Sequence, residues 1–554
     1  MKKSQYIILF YFSLFLFFYF FTLNFNYVEG DDASTILYHL CDRNPQIQRP
    51  YASYNSGLDF LIRISNLQGE ETLRTFAVLI SFISGFLILS LSLFFLDSFF
   101  EGTKFLNNKY RVYLYLLLPF IVPDIIFHSL IINAAYISFV FLLSSLIVFI
   151  KFLQTNQNKL LYLSTLLFAI SIPFRWTMLV SLPLYMGFAL YYYPIHYYSK
   201  NTLLFFLKIL ITNLLGVFLA IIFICVTGYN LQDIFNTIFS TTQYIENSER
   251  SYLSLLASAS AFLTPSLLFL VLLAGFRIYE IQKKQPQFVL SIVSLMVLSI
   301  SPFFIVSFFP SYKFLITLWP MILIILAFGF DYLLGRKLLV IIFCFLFIGP
   351  WFIGIKLDVN GTFCGPGFEL NTNKKTHSNL LLENNPDKRV KIEKIYLKLD
   401  SGFYLPMSEG PRPLYGYFYV LFADGWKNQI NLFTQERKKI FNFLIKNKSA
   451  VYIQDRKAAY FQCDLFRNEL TTKTDYIKKN NILYRNFKNK NVSINVYVIP
   501  DNCSKMDWLT NYLKQTKNTV IFRSTYSNEI LKIYKNNKNK VEVFGPFTAL
   551  KKGN

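Results

Sequence analysis

The stretch "MKKSQYIILFYFSLFLFFYFFTL", Met1–Leu23, decides how the rest of the chain is read. Its two lysines suit a secretory signal, but the apolar run that follows is about 20 residues long, beyond the roughly 7–15 of a signal core. No small-residue cleavage site follows it either. About 20 apolar residues is the length of a helix that crosses a bilayer. The stretch therefore predicts an uncleaved first membrane helix. Comparable runs recur at 6–27, 75–97, 112–127, 130–150, 160–173, 177–194, 204–227, 254–276, 288–309, 314–332 and 338–356, which predicts about eleven spans. Composition agrees. The 554 residues are 54% apolar, 19% aromatic and only 16% charged, with a mean hydropathy of +0.38. Soluble domains carry about 25% charged residues, so lipid must solvate most of this chain.

The net charge of +23 raises the question of nucleic acid, but the basic residues form no stripe and no nucleic-acid motif. They fall in short connections and in the last third of the chain. Lysine is concentrated in "KK", "EGTKFLNNKYR", "KFLQTNQNK", "YSKN", "RIYEIQKKQ" and "GRK", a set that the positive-inside rule places in the cytoplasm. The other connections are loop 28–74, the links near Asp124 and Arg175, loop 229–252, and "FFPSYK". The N-terminus is then cytoplasmic, and an odd number of spans puts the C-terminal region outside, across the plasma membrane or a bacterial inner membrane.

After position 356 the composition shifts to Lys and Asn with no spanning run. "KIEKIYLKL", "AVYIQD", "VSINVYVIP", "NTVIF" and "NKVEVF" read as strands, while "ERKKIFNFLIKNK" and "DWLTNYLKQTK" have helical spacing. The fold class predicted is an α-helical polytopic membrane domain over 1–356, including the external loop 28–74, followed by a soluble extracytoplasmic α/β domain over 357–554. Cys225 and Cys344 lie in apolar runs and predict buried free thiols. A Cys463–Cys503 disulfide is compatible with the external side, and no cysteine or histidine spacing matches a zinc site.

Loop 28–74 carries the densest chemistry. "DASTILYHLCDR" predicts an interfacial helix with Ile36, Leu37 and Leu40 on one face, and "GLDFLIRISNL" predicts a second with Leu58, Leu61, Ile62 and Ile64 apolar. Asp31 and Asp32, with Glu29 before them, fall between the first spanning helix and the first interfacial one. One reading makes them helix caps. The other joins them with Arg175 in "IPFRWTM", Lys313 in "FPSYKFL", Arg250 in "ENSERSY", and Asp124 and His128 in "VPDIIFHS", all on the external side. Cations hold a phosphate and a carboxylate takes a proton from an attacking hydroxyl, so this set predicts a site for a phosphate-bearing amphiphile. Loop 229–252 supplies Tyr244 and Glu246 as substrate-loop candidates that close over a donor.

These residues resemble the GT-C superfamily of membrane glycosyltransferases, including protein O-mannosyltransferases, the lipid A aminoarabinose transferase and lipopolysaccharide-core transferases. "GDDASTILYHL" is similar to that family's opening acidic motif. "QRPYASYNSGLDFLIRISNLQGEETLRTFAVLISFISG" is similar to its Pro-aromatic segment and amphipathic helix, followed by a Gly and an Arg at the head of the second span, here Gly69 and Arg74. "VPDIIFHSLIINAAY" and "FPSYKFLITLWPMILII" resemble its third link and a late helix start. The resemblance implies a polyprenyl-phosphate sugar donor and a glycan, lipid or protein hydroxyl as acceptor. It implies Asp31 as base, Asp32 in place of the usual Glu, and Asp124 as a second acidic position. Asn133 stands where a further acid occurs in the family, and Lys313 where Arg is common. A divalent metal is compatible only if Asp31, Asp32 and Asp124 meet. Two other classes fit the composition: a transporter or flippase of lipid-linked sugars, which predicts inverted repeats and mid-membrane sites, and a membrane-anchored sensor or assembly protein whose external domain does the binding.

Overall fold

The computed structural model describes residues 2–22, 36, 55–101, 108–130, 132–193, 200–230, 232, 260–283, 285–305, 315–359, 390–396, 412–418, 449–454, 477–479, 482–488, 493–498, 519–523, 540–544 and 547–551. The chain divides into two compact units. One comprises Met1–Asn26, Pro50–Asn247 and Ser258–Ile353, the other Tyr27–Arg49, Ser248–Ala257 and Gly354–Asn554.

The first unit is helical. Its described helices are α1 (Lys2–Thr22), α2 (Ser56–Ser65), α3 (Glu70–Phe99), α4 (Asn108–Ile121), α5 (Asp124–Ser129), α6 (Ala134–Thr155), α7 (Asn158–Phe174), α8 (Leu182–Tyr192), α9 (Lys200–Val226), α10 (Pro265–Gln282), α11 (Pro286–Ile305), α12 (Trp319–Leu334) and α13 (Lys337–Phe352). A 3-10 turn, Trp176–Ser181, separates α7 from α8. Among the described residues, five apolar segments are long enough to cross a bilayer: Thr72–Phe99, Ala134–Thr155, Leu203–Val226, Pro265–Gln282 and Ile316–Leu334. They make the chain a helical membrane protein. Each apolar run anticipated from sequence overlaps one of the described helices; within the run at 254–276 the described helix begins at Pro265. There Thr264 caps α10, its Oγ1 accepting from the Leu267 N–H, and Pro265 occupies the first turn, where its missing N–H costs nothing.

Lipid tails are as apolar as leucine, so close packing and buried hydrogen bonds, not the hydrophobic effect, hold such helices together. The α6–α7 hairpin shows both. Ser138 Oγ donates to Ser171 O at 2.5 Å, and seven residues on Ser145 Oγ donates to Ser164 O at 2.7 Å, while Ser164 Oγ returns a bond to Ser145 O at 3.0 Å. Tyr185 OH of α8 joins Ser145 Oγ at 2.6 Å. Elsewhere backbones meet through glycine. A Cβ on Gly329 of α12 would run into the Leu270 carbonyl of α10, and one on Gly85 of α3 would stand 2.5 Å from Ser129 Cβ of α5. Exposed faces remain apolar, with Ile211, Leu215, Phe218 and Val226 of α9 and Leu338, Ile341 and Phe345 of α13 open to the bilayer. Cys225 and Cys344 belong to such faces and are exposed. The expectation of buried thiols is corrected, because an apolar run facing lipid carries its cysteines outward as readily as inward.

In the second unit, β1 (Gly354–Val359), β2 (Val390–Tyr396) and β3 (Arg412–Tyr415) form an antiparallel sheet in the order β2-β1-β3. A seven-stranded mixed sheet orders β5 (Ile477–Lys479), β6 (Ile482–Lys488), β7 (Ser493–Val498), β4 (Ser449–Gln454), β8 (Thr519–Arg523), β10 (Phe547–Lys551) and β9 (Lys540–Phe544). Its centre is parallel, β7-β4-β8, and its flanks are antiparallel. The two segments with helical spacing, and Cys463 and Cys503, lie outside the described residues.

Candidate functional site

The break between α4 and α6 builds the first part of the site. Read as sequence, "VPDIIFHSLIINAAY" is one near-continuous apolar stretch. The structure folds it into the single-turn-and-a-half helix α5, whose six residues are all buried. Pro123 precedes Asp124, and Asn133 restarts the helical chain by capping α6, its Oδ1 accepting from the Ala135 N–H at 3.1 Å. Asp124 N–H donates to Ala261 O at 2.9 Å, and Asn133 N–H to Ser81 Oγ of α3 at 2.9 Å, so the link is pinned on two sides.

Asp124 and His128 are only 2% and 1% exposed. One helical turn apart, they pair, with Asp124 Oδ2 3.0 Å from His128 Nδ1. The Asp124 carbonyl oxygen stands 3.1 Å from the same nitrogen. Two oxygens facing Nδ1 require it to carry a proton, since a lone pair there would oppose lone pairs, and in the neutral ring Nε2 is then the accepting nitrogen. Tyr136 OH of α6 donates to Asp124 Oδ2 at 3.1 Å and to Asp124 O at 3.0 Å. Tyr136 was not anticipated as a site residue. Its signal was available: it sits at the fourth position after Ile132, on the first turn of a membrane helix that begins with a capping Asn.

The second part lies where α7 ends. Pro173 falls in the last turn of α7, and Arg175 is extended, with φ −160°. Arg175 is 5% exposed, and its Nη1 donates to Asn55 Oδ1 at 3.4 Å. Ser56 Oγ, at the start of α2, donates to Pro173 O at 3.2 Å. A Cβ on Gly57 would touch the Phe174 ring at 3.0 Å. α2 therefore docks on the end of α7 by its N-terminal turn. The amphipathic pattern correctly predicted this helix, with Leu58 and Ile62 buried and Ile64 exposed. Asp59, unanticipated, is also fully buried, with Arg63 Nε 3.3 Å from its Oδ2 and Arg63 Nη2 donating to Thr227 O at 3.1 Å past the end of α9. Gly69 caps α3 at φ +86°, a conformation that suits glycine, and Arg74 in the first turns of α3 is fully buried.

These contacts belong to one end of the bundle. The seam Ser138–Ser171 and Ser145–Ser164 runs antiparallel, so the start of α6 and the end of α7 stand level. At the opposite end the ion pairs are partly exposed: Arg277 Nε lies 2.8 Å from Asp331 Oδ2, and Arg336 Nη2 lies 3.0 Å from Glu280 Oε1, with the Arg336 guanidinium stacked 3.3 Å over the Tyr332 ring. Arg175 and the Asp124–His128 pair are thus buried helix-end groups rather than side chains reaching into water.

Asn133 Nδ2 and Thr177 Oγ1 are buried without a hydrogen-bond partner among the described residues. An unpaired buried polar atom costs about 1–3 kcal/mol. Among the described residues no group of three His, Cys, Asp or Glu gathers to hold a metal, and Asp124 with His128 supplies only two such ligands. Asp31, Asp32, Tyr244, Glu246, Arg250 and Lys313 lie outside the described residues.

No protein-family model matches the chain, and neither a curated protein nor a solved structure is significantly similar to it.

Proposed function

We propose that the chain is a polytopic membrane glycosyltransferase of GT-C type, with about eleven spans and an extracytoplasmic α/β domain, that moves a sugar from a polyprenyl-phosphate donor to an acceptor hydroxyl outside the cytoplasm. The observation that carries this reading is the burial of a carboxylate–imidazole–phenol cluster, Asp124–His128–Tyr136, and of the Arg175 guanidinium where membrane helices break. Ionisable groups in such places are expensive in a bilayer and mark substrate sites. A guanidinium is suited to a lipid phosphate, which it meets with two parallel donors. The described strands of the C-terminal sheet, parallel at the centre and antiparallel at the flanks, supply the β part of the proposed last domain.

In the proposed reaction the acceptor oxygen forms a bond to the anomeric carbon as the bond from that carbon to the phosphate oxygen breaks, with inversion. The lipid phosphate leaves with the electron pair, and the hydroxyl proton passes to Asp31, beside Asp32. Arg175, Arg250 and Lys313 are assigned to the departing phosphate, whose charge grows in the transition state. The test compares cell-envelope glycans by mass spectrometry in wild type, a deletion strain and strains carrying Asp31→Asn or Arg175→Ala at normal protein level. One hexose or modified sugar is expected to vanish in the deletion and in Asp31→Asn, and to drop on the order of a hundredfold in Arg175→Ala. Unchanged glycans in both variants would remove the reading. Passage of labelled donor across vesicles without release of polyprenyl phosphate would replace it with transport.

A further inference from the structure

Two polar side chains at the site have no role in the cluster just described. Asn133 uses Oδ1 to cap α6, yet among the described residues its buried Nδ2 has no partner, nor has the buried hydroxyl of Thr177 in the 3-10 turn after Arg175. They are 1% and 6% exposed. The serine seam places them at the same level of the bundle. Each step along α6 from Ser145 to Ser138 is matched by a step along α7 from Ser164 to Ser171. One further turn ends both helices at one level: α6 begins at Ala134 after its cap Asn133, and α7 ends at Phe174, three residues before Thr177 in the 3-10 turn. Buried polar atoms in native proteins are almost always paired, so two orphans at one level call for a partner that binds there. Both side chains can donate, Nδ2 with two hydrogens and Oγ1 with one, and Oγ1 also accepts. Neutral donors, one of which also accepts, two residues from a buried guanidinium match the hydroxyls of a sugar whose phosphate is held by the cation.

We infer that Asn133 and Thr177 form the subsite that hydrogen-bonds the hydroxyls of the transferred sugar and sets which sugar is accepted. This rests on the glycosyltransferase reading and extends it from the donor's phosphate to its sugar. The hydroxyls of a sugar carried on lipid phosphate pair the two groups, and a bare polyprenyl phosphate leaves them unpaired.

The test uses the full chain in lipid nanodiscs and two kinds of probe: sugar-free polyprenyl phosphate, and a panel of polyprenyl-phosphate hexoses including an amino sugar. Affinity is read by thermal stabilisation. Thr177→Val is isosteric and deletes only the hydroxyl. Asn133→Asp keeps the capping oxygen and replaces the Nδ2 donor by an acceptor. Wild type is expected to bind at least one sugar-bearing probe more tightly than the sugar-free lipid. Each variant is expected to lose roughly tenfold of that difference, the size of one neutral hydrogen bond, with affinity for sugar-free lipid unchanged. Without ligand, Thr177→Val should melt no lower than wild type, because it removes an unpaired buried hydroxyl. The inference is overturned if wild type shows no sugar-dependent difference on any probe, if Thr177→Val keeps that difference in full, or if the unliganded variant melts lower and so exposes a structural partner. A wild type that shows the difference but transfers no sugar removes the transferase reading and supports the subsite.

Discussion

His128 illustrates how much one contact decides. Its Nδ1 faces two Asp124 oxygens at 3.0 and 3.1 Å, which selects a single tautomer. Histidine-labelled protein is therefore expected to show, for the neutral ring of His128, the Nδ1–H form in nitrogen NMR spectra; an Nε2–H signal, assigned by its loss in His128→Gln, would contradict the geometry. Removing the hydrogen-bonding partners should cost unequal amounts. Tyr136→Phe deletes one bond to the carboxylate and is expected to lower stability by about 1 kcal/mol. Asp124→Ala leaves the phenol and the imidazole N–H only the carbonyl oxygen of residue 124 to share in a nearly water-free site, and a loss of about 1–3 kcal/mol is expected, read by thermal unfolding in detergent. Sequence reading found Asp124 and His128 because charged residues stand out against an apolar run. It could not find Tyr136, since tyrosine is common in this chain, with 37 copies, and its hydroxyl is informative only beside a carboxylate.

At the scale of elements, the close crossings give the sharpest expectations. Gly329→Ala places a methyl against the Leu270 carbonyl, which belongs to the backbone and cannot rotate away. The α10–α12 pair must separate, and a loss of several kcal/mol is expected, where an ordinary overpacked core loses about 1–3. Normal expression and melting of Gly329→Ala would show that the crossing is looser. The α6–α7 seam should behave differently. Membrane hydrogen bonds measured by double-mutant cycles average about 0.6 kcal/mol, so Ser145→Ala and Ser164→Ala should each be mild and their coupling of that order. Helix positions were legible from sequence because a bilayer imposes length and continuous apolarity, and α2 was legible because its apolar spacing is helical while its flanks are not. α5 was not legible: six residues flanked by other apolar residues merge with their neighbours, and only the turn at Pro123 and the cap at Asn133 separate them. Several strands, β4, β7, β8 and β9 among them, were anticipated from alternation. β1, β3, β5, β6 and β10 were not, being short or rich in polar residues.

For the whole molecule, the two ends of the helical unit differ in kind. One end carries the buried Asp124, His128, Arg175 and Asp59, and the other the partly exposed Arg277, Glu280, Asp331 and Arg336 with the lysine-rich connections. Because positively charged connections stay in the cytoplasm, the buried-charge end is expected outside. Cysteines introduced at exposed positions give the check, in a background whose own external cysteines are replaced. Gln68→Cys, before α3, should react with an impermeant maleimide in intact cells, and Gln157→Cys, between α6 and α7, only after permeabilisation. Labelling of Gln157→Cys in intact cells would invert the topology and with it the extracytoplasmic assignment.

The amino-acid sequence by itself determined that this is a membrane protein, where most of its helices lie, and where several of the C-terminal strands lie. Those properties depend on composition and periodicity, which lipid and backbone hydrogen bonding read one segment at a time. Tertiary structure alone decided that Asp124 is paired rather than open, that Arg175 is buried beside Asn55, that Cys225 and Cys344 face outward, and that Asn133 Nδ2 and Thr177 Oγ1 have no hydrogen-bond partner among the described residues. Each of these depends on which residues distant in the chain come within about 3 Å, and a helix presents the same pattern to lipid as to a neighbouring helix.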